Sequence, residues 1–234
     1  QGGDRMTTTL NSSARPVTAA GPTRIGAASG LASVVLLMAG FALAAPAGAV
    51  HTNPAEQIVG FYTDGGQAAK YAGGLVESVA LLLLLPFVAM LAARLQGTGV
   101  AGDVLGPAAR MAATGYVVLS LAPGQAAGAA ALWLGAHDGD AASIVALNAL
   151  RAFSHFLALL ALAGFLVAIG IGALPTDRLA RWMSWSAVAV GVLLAVGVAV
   201  AQTGLADIAS LLALSWIVAV SIGLLRRPDR ANDR

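Results

Sequence analysis

The sequence predicts an all-α, polytopic membrane helix bundle with six transmembrane helices and both termini in the cytoplasm. Three observations predict it. Of 234 residues, 58% are hydrophobic and only 10% are charged, whereas a soluble domain carries roughly 25% charged residues. The mean hydropathy is +0.82. The apolar residues gather in six runs, about 25–50, 72–93, 108–136, 141–174, 179–201 and 208–225. Each is long enough for a hydrocarbon core of about 30 Å.

The composition also excludes chemistry. There is no cysteine, so disulfides, thiolate catalysis and cysteine-ligated zinc or iron–sulfur centres are out. The net charge is +2, but the arginines sit at helix ends, where they orient a membrane protein. No nucleic-acid partner is expected; the lipid bilayer is. Twenty-eight glycines suit close helix packing in lipid.

Taken in order, Met6 reads as the natural start, with Gln1–Arg5 a remnant ahead of it. Residues 1–24 read as a disordered cytoplasmic tail, rich in Thr, Ser, Pro and Ala. In the first span Gly26 and Gly30 form a small-xxx-small pair. Arg24 and the Ala47-Gly48-Ala49 triplet resemble a signal peptide with its cleavage site. The run is longer than the usual 7–15-residue core of such a peptide, so the span reads as retained. Asn53-Pro54-Ala55-Glu56 reads as a capping box with Pro at the first helical position. It would open a short interfacial helix over about 54–63, with Ile58, Val59, Phe61 and Tyr62 on roughly one face.

The second span lies between Lys70 and Arg94, roughly 36 Å apart along a helix. It carries Glu77 near its outer end and Pro86 as a kink site. The third span is preceded by a loop around 96–106. Pro123-Gly124 in its middle should bend or break it, with Gln125 just after, and Gly124 and Gly128 form a second small pair. Asp140 is the expected N-cap of the fourth span, which stops before Pro175. Thr176 or Asp177 would cap the fifth, where Trp182 and Trp185 are interfacial anchors. Thr203-Gly204 turns into the sixth, and residues 226–234 form a short cytoplasmic tail.

Counting cations fixes the expected orientation. With the N-terminus inside, the inner side holds Arg5, Arg15, Arg24, Arg94, Arg110, Arg178, Arg181, Arg226, Arg227, Arg230 and Arg234. The outer side holds only Lys70. This is the positive-inside pattern. No internal repeat points to a transporter.

The fourth span carries the most polar group of any span: Asn148, Arg151, Ser154 and His155, near one helical face. At about 33 residues it is close to 50 Å long. If it is centred, Arg151 lies roughly 6 Å and His155 roughly 12 Å below the outer boundary. Glu77 falls at a similar depth. A lone Arg in lipid costs at least about 2.5 kcal/mol, so Glu77 is its expected partner. Gln125 and Asn148 lie at about the same level.

Two readings of Glu77, Gln125, Asn148, Arg151 and His155 stand. They form an outward-opening pocket for a small polar or anionic ligand, with Arg151 as anchor, or they form a buried pair that fixes helix register. His155 could relay protons or serve as a neutral packing residue. Haem would need a second histidine at matching depth, and His51 and His137 are expected at the outer surface. No metal or other cofactor is expected. Tyr116, Ser120, Ser184, Ser186, Ser215 and Trp216 read as interhelical or interfacial residues. No nucleophile elbow, zinc-protease motif or P-loop occurs. Ser154 and His155 are adjacent on one helix and do not face each other.

Several short segments carry a family likeness. They are Arg24-Ile25-Gly26, the stretch Pro54-Ala55-Glu56-Gln57-Ile58-Val59-Gly60-Phe61-Tyr62, Leu174-Pro175, Arg181-Trp182-Met183-Ser184-Trp185 and Leu225-Arg226-Arg227. On these, residues 24–228 resemble a family of actinobacterial-type six-helix integral membrane proteins, similar to a membrane family defined as a domain of unknown function. The resemblance implies the six-helix fold and a bacterial inner membrane, and no catalytic residue. The leading functional expectation is a non-enzymatic module that binds a small ligand, or a membrane protein partner, from the outer side. The alternative is a small-solute transporter, proton-coupled through Glu77, Arg151 and His155.

Overall fold

A computed structural model describes residues 20–44, 50–176, 178–200 and 205–226. They fold as α1 (Ala20–Ala44), α2 (Ala55–Thr63), α3 (Gln67–Arg94), α4 (Val100–Leu119), a π-helical segment (Ser120–Gln125), α5 (Ala126–Ala136), α6 (Ala141–Ala173), α7 (Arg181–Ala199) and α8 (Leu205–Arg226). Six stretches are long and apolar enough to cross a membrane: α1 from Thr23, α3, α4 through α5, α6, α7 and α8. This is the architecture of a multi-pass membrane protein, whose apolar outer faces meet a lipid bilayer.

The spans form a ring in chain order. Each packs on its neighbour, and α8 closes the ring against α1. One core cluster runs through all six, with Phe87, Leu91, Phe165, Leu166, Ile169 and Ile217 at its buried centre. The α6 span is the most enclosed of them. It lies against α4, the π segment, α5 and α7, and α2 rests on its N-terminal end.

Small residues set the closest approaches. A Cβ at Gly26 would stand 2.6 Å from Cβ of Met90, and one at Gly30 would stand 2.6 Å from the Phe87 ring. One at Gly73 would meet the Gly40 carbonyl at 2.7 Å. Backbone contact this close leaves no room for a side chain, so α1 and α3 are the tightest pair. Ser33 donates to the Ala80 carbonyl across the same interface at 2.7 Å. On the other side of the ring, Trp216 of α8 donates to the Met183 carbonyl and the Ser186 hydroxyl of α7, both at 3.1 Å. Ser215 instead bonds back to Leu211 on its own helix.

Several boundaries differ from the sequence reading, each for a local reason. The third span does not break at Pro123-Gly124. It continues through one π turn, where the wider i→i+5 spacing accommodates a proline that lacks an N–H. It also begins at Val100, so Pro107 lies inside α4. The loop before it shrinks to a few residues because Asp103 accepts the Gly97 amide at 3.2 Å, while Gly97 and Gly99 supply positive φ. Thr176 does not cap the fifth span. Its hydroxyl donates to Ala173 of α6 at 3.0 Å, and Ala180 occupies the N-cap of α7. Asp177 lies outside the described residues, as do Ala47-Gly48-Ala49, Thr203-Gly204, residues 1–19 and the tail beyond Arg226. Pro54 is the N-cap of α2 rather than its first residue. Asp140 does cap α6, accepting the Ser143 amide at 2.8 Å.

Candidate functional site

Three polar side chains from three elements meet at one level of the bundle. Glu77 on α3, Gln125 at the end of the π segment and Arg151 on α6 each lie about 15 Å from the helix end nearest α2, at 1.5 Å per residue. A cavity of about 730 Å³ opens at this level. Glu77, Gln125, Arg151 and His155 all line it.

Each of the first three passes over a glycine. A Cβ at Gly40 of α1 would stand 2.6 Å from Cγ of Glu77. One at Gly74 of α3 would stand 3.1 Å from Oε1 of Gln125, and one at Gly128 of α5 would stand 3.2 Å from Cδ of Arg151. The polar side chains therefore occupy volume that the neighbouring helices leave vacant. Gly128, expected as part of a helix-packing pair, instead makes room for Arg151.

The Gln125 amide donates to Oε2 of Glu77 at 2.8 Å. The positive charge of Arg151 acts on the same carboxylate. Arg151 also stands beside the Tyr62 hydroxyl, and that hydroxyl donates to Oδ1 of Asn148 at 2.9 Å. Asn148 is 1% exposed and lies under Tyr62 rather than on the cavity wall. Burial pushes the Tyr62 phenol above the ordinary tyrosine range, and the adjacent guanidinium partly offsets this.

His155 is exposed and lines the cavity. It stands in the field of Arg151, Asp207 and His51. His51 is exposed, as expected for a surface residue. It lines the same cavity and meets Phe156 of α6 edge-on, with ring centroids 5.1 Å apart. His137 is exposed and away from the cavity, stacked on Trp133 with ring centroids 4.6 Å apart.

Helix α2 covers this end. Tyr62 and Ile58 are buried against Ala131 of α5 and Ile144 of α6, with the Tyr62 backbone seated over Gly135. Lys70 ties α2 to α3 by donating to the Phe61 and Gly65 carbonyls, with its ammonium 4.6 Å from the centre of the Phe61 ring. Tyr62, Lys70, His51 and Asp207 were not among the expected site residues. Only Tyr62 left a trace in the sequence, sharing a helical face with Ile58 four residues earlier.

No family model, curated protein or solved structure matches this chain. What the site can do follows from its own groups. The guanidinium suits an anionic oxygen group. The Glu77–Gln125 pair offers both acceptors and a donor. Ser154 is engaged with the Leu150 carbonyl at 2.7 Å and activates nothing. Among the described residues no group of three or more His, Asp or Glu is placed to hold a metal.

Two outcomes test this arrangement. Tyr62→Phe strands the buried Asn148 carbonyl and is expected to cost about 1–3 kcal/mol, read as a lower unfolding midpoint in detergent. Tyr62→Phe with Asn148→Leu should recover part of it. Because the folded phenol titrates above the unfolded value of about 10, its contribution is complete below that pH and fades as pH rises through the folded value. The Phe variant should lack that alkaline loss. Separately, Glu77→Gln is expected to destabilise by about 2–3 kcal/mol, and adding Arg151→Met should restore much of it. A double mutant no better than the worse single would refute coupling between the two charges.

Proposed function

We propose that this protein is a non-enzymatic module of a bacterial plasma membrane, of the actinobacterial six-helix type, that binds a small polar or anionic ligand in the cavity beneath α2. The observation that carries the reading is the convergence of Glu77, Gln125, Arg151 and His155 on one cavity of about 730 Å³. Ionisable groups held inside a membrane bundle mark function more often than scaffold, and a concave cavity of apolar walls with a few convergent polar groups is where small ligands bind. The ring is otherwise packed with apolar and small side chains, so the polar set is localised rather than spread. A proton-coupled solute transporter is the second reading, favoured by an acid, a base and a histidine sharing that cavity.

Native mass spectrometry of protein purified in mild detergent tests the first reading. The wild type should carry a bound species that Arg151→Ala lacks. An apo mass for a wild type that drives pH-dependent solute flux in liposomes, abolished by Glu77→Gln, would favour the second reading instead.

The orientation supported by the arginine distribution places α2 and the cavity on the outer side. The cysteine-free background makes this direct to check. Thr52→Cys should react with a membrane-impermeant maleimide on intact cells, and Gln96→Cys only after permeabilisation. The reverse pattern would invert the topology.

A further inference from the structure

The exposed apolar residues of α3 fall on one stripe. Tyr71, Leu75, Val79 and Leu82 are each about half exposed, at spacings of four, four and three that keep them on one helical face. On the adjacent wall, Val118, Ala122, Ala126, Ala130 and Trp133 are likewise exposed along α4, the π segment and α5. Both stripes face lipid. Yet Tyr71 and Leu75 from the first, and Ala126 from the second, also line the cavity. A residue on both the outward face and the cavity wall marks a side opening. This one lies between α3 and α5, beside Ala126, whose methyl group is too short to close it.

Behind the opening the cavity has two kinds of wall. Glu77, Gln125 and Arg151 form its polar floor, and Phe41, Leu121, Leu132 and Phe156 form apolar sides. Helices α3 and α6 overhang a hydrocarbon core of about 30 Å, which places the floor about 5–10 Å inside the core boundary. A lipid head can reach that depth while its chain stays in the core. A soluble anion would need neither the apolar sides nor an opening onto lipid.

We infer that the cavity admits a membrane amphiphile sideways between α3 and α5, seating a head group with an anionic phosphate-type oxygen on Arg151 and letting its apolar chain leave past Leu75 and Ala126. This rests on the reading of the cavity as a binding site, and it names the ligand class. The guanidinium forks onto phosphate oxygens, and Leu75 and Ala126 at the opening offer an acyl chain an apolar exit.

The test is native mass spectrometry of the full chain with phosphatidylglycerol, diacylglycerol or inorganic phosphate added. The wild type should hold one phosphatidylglycerol about tenfold or more tightly than diacylglycerol, the difference expected of a charge-assisted contact. Ala126→Trp sits on the lipid-facing stripe and should fold normally while losing the lipid adduct. Arg151→Gln should erase the preference for the anionic head. If inorganic phosphate binds wild type and Ala126→Trp equally and no lipid adduct forms, lateral admission is refuted and the binding site stands. If a folded wild type takes up neither lipid nor phosphate, both are refuted.

Discussion

A charge three helical turns inside an apolar bundle has to be surrounded by atoms that replace water, and the half of this protein nearest α2 is shaped by that requirement. Arg151 cannot be solvated by hydrocarbon. Around it stand the carboxylate of Glu77 and the phenol of Tyr62, with Gln125 holding the carboxylate in turn. These groups come from α2, α3, the π segment and α6, so satisfying one side chain ties four elements together. The space for it comes from Gly40, Gly74 and Gly128. In lipid, where apolar packing gains little over the acyl chains, such polar ties and close glycine contacts carry much of the specificity of assembly.

The cover over this end follows from the same need. Tyr62 reaches the interior only because Gly135 lets the α2 backbone sit directly on α5. Its hydroxyl then satisfies the Asn148 side-chain carbonyl while presenting its oxygen to Arg151. Lys70 and Gln67 bond the carbonyls at the end of α2, which joins a short helix to a long one. A nine-residue helix is marginal alone, so α2 depends on these anchors for its place.

Much of the fold was legible because one-dimensional signals determine it. Hydropathy located six spans, and a fixed rise of 1.5 Å per residue put Glu77, Gln125 and Arg151 at one level before any packing was known. Asp140 was readable as a cap because its partner amide is three residues away. Boundaries were less legible where tertiary contacts compete. Pro107 and Asp103 look like loop residues, but Asp103 closes the turn at Gly97 and α4 continues through Pro107. The Tyr62–Asn148 bond was hidden because it joins residues 86 apart in sequence through the docking of α2. That His51 also lines the cavity was hidden because a loop has no periodicity to say which way it turns.

The π segment bears on how such a chain can change over time. A π turn holds one residue more than the α-helical path it replaces. Losing a single residue within 120–125 would let the helix close to ordinary winding, at little cost to the span. Because the π turn absorbs its extra residue locally, the helix beyond it would keep its facing, and Gly128 would stay beneath Arg151. Losing one residue from α4 instead would rotate all that follows by about 100°, carrying Gln125 off Glu77 and Gly128 off Arg151. The spacing of this site is thus buffered against a one-residue slip at the π turn and exposed to one in the regular helix before it.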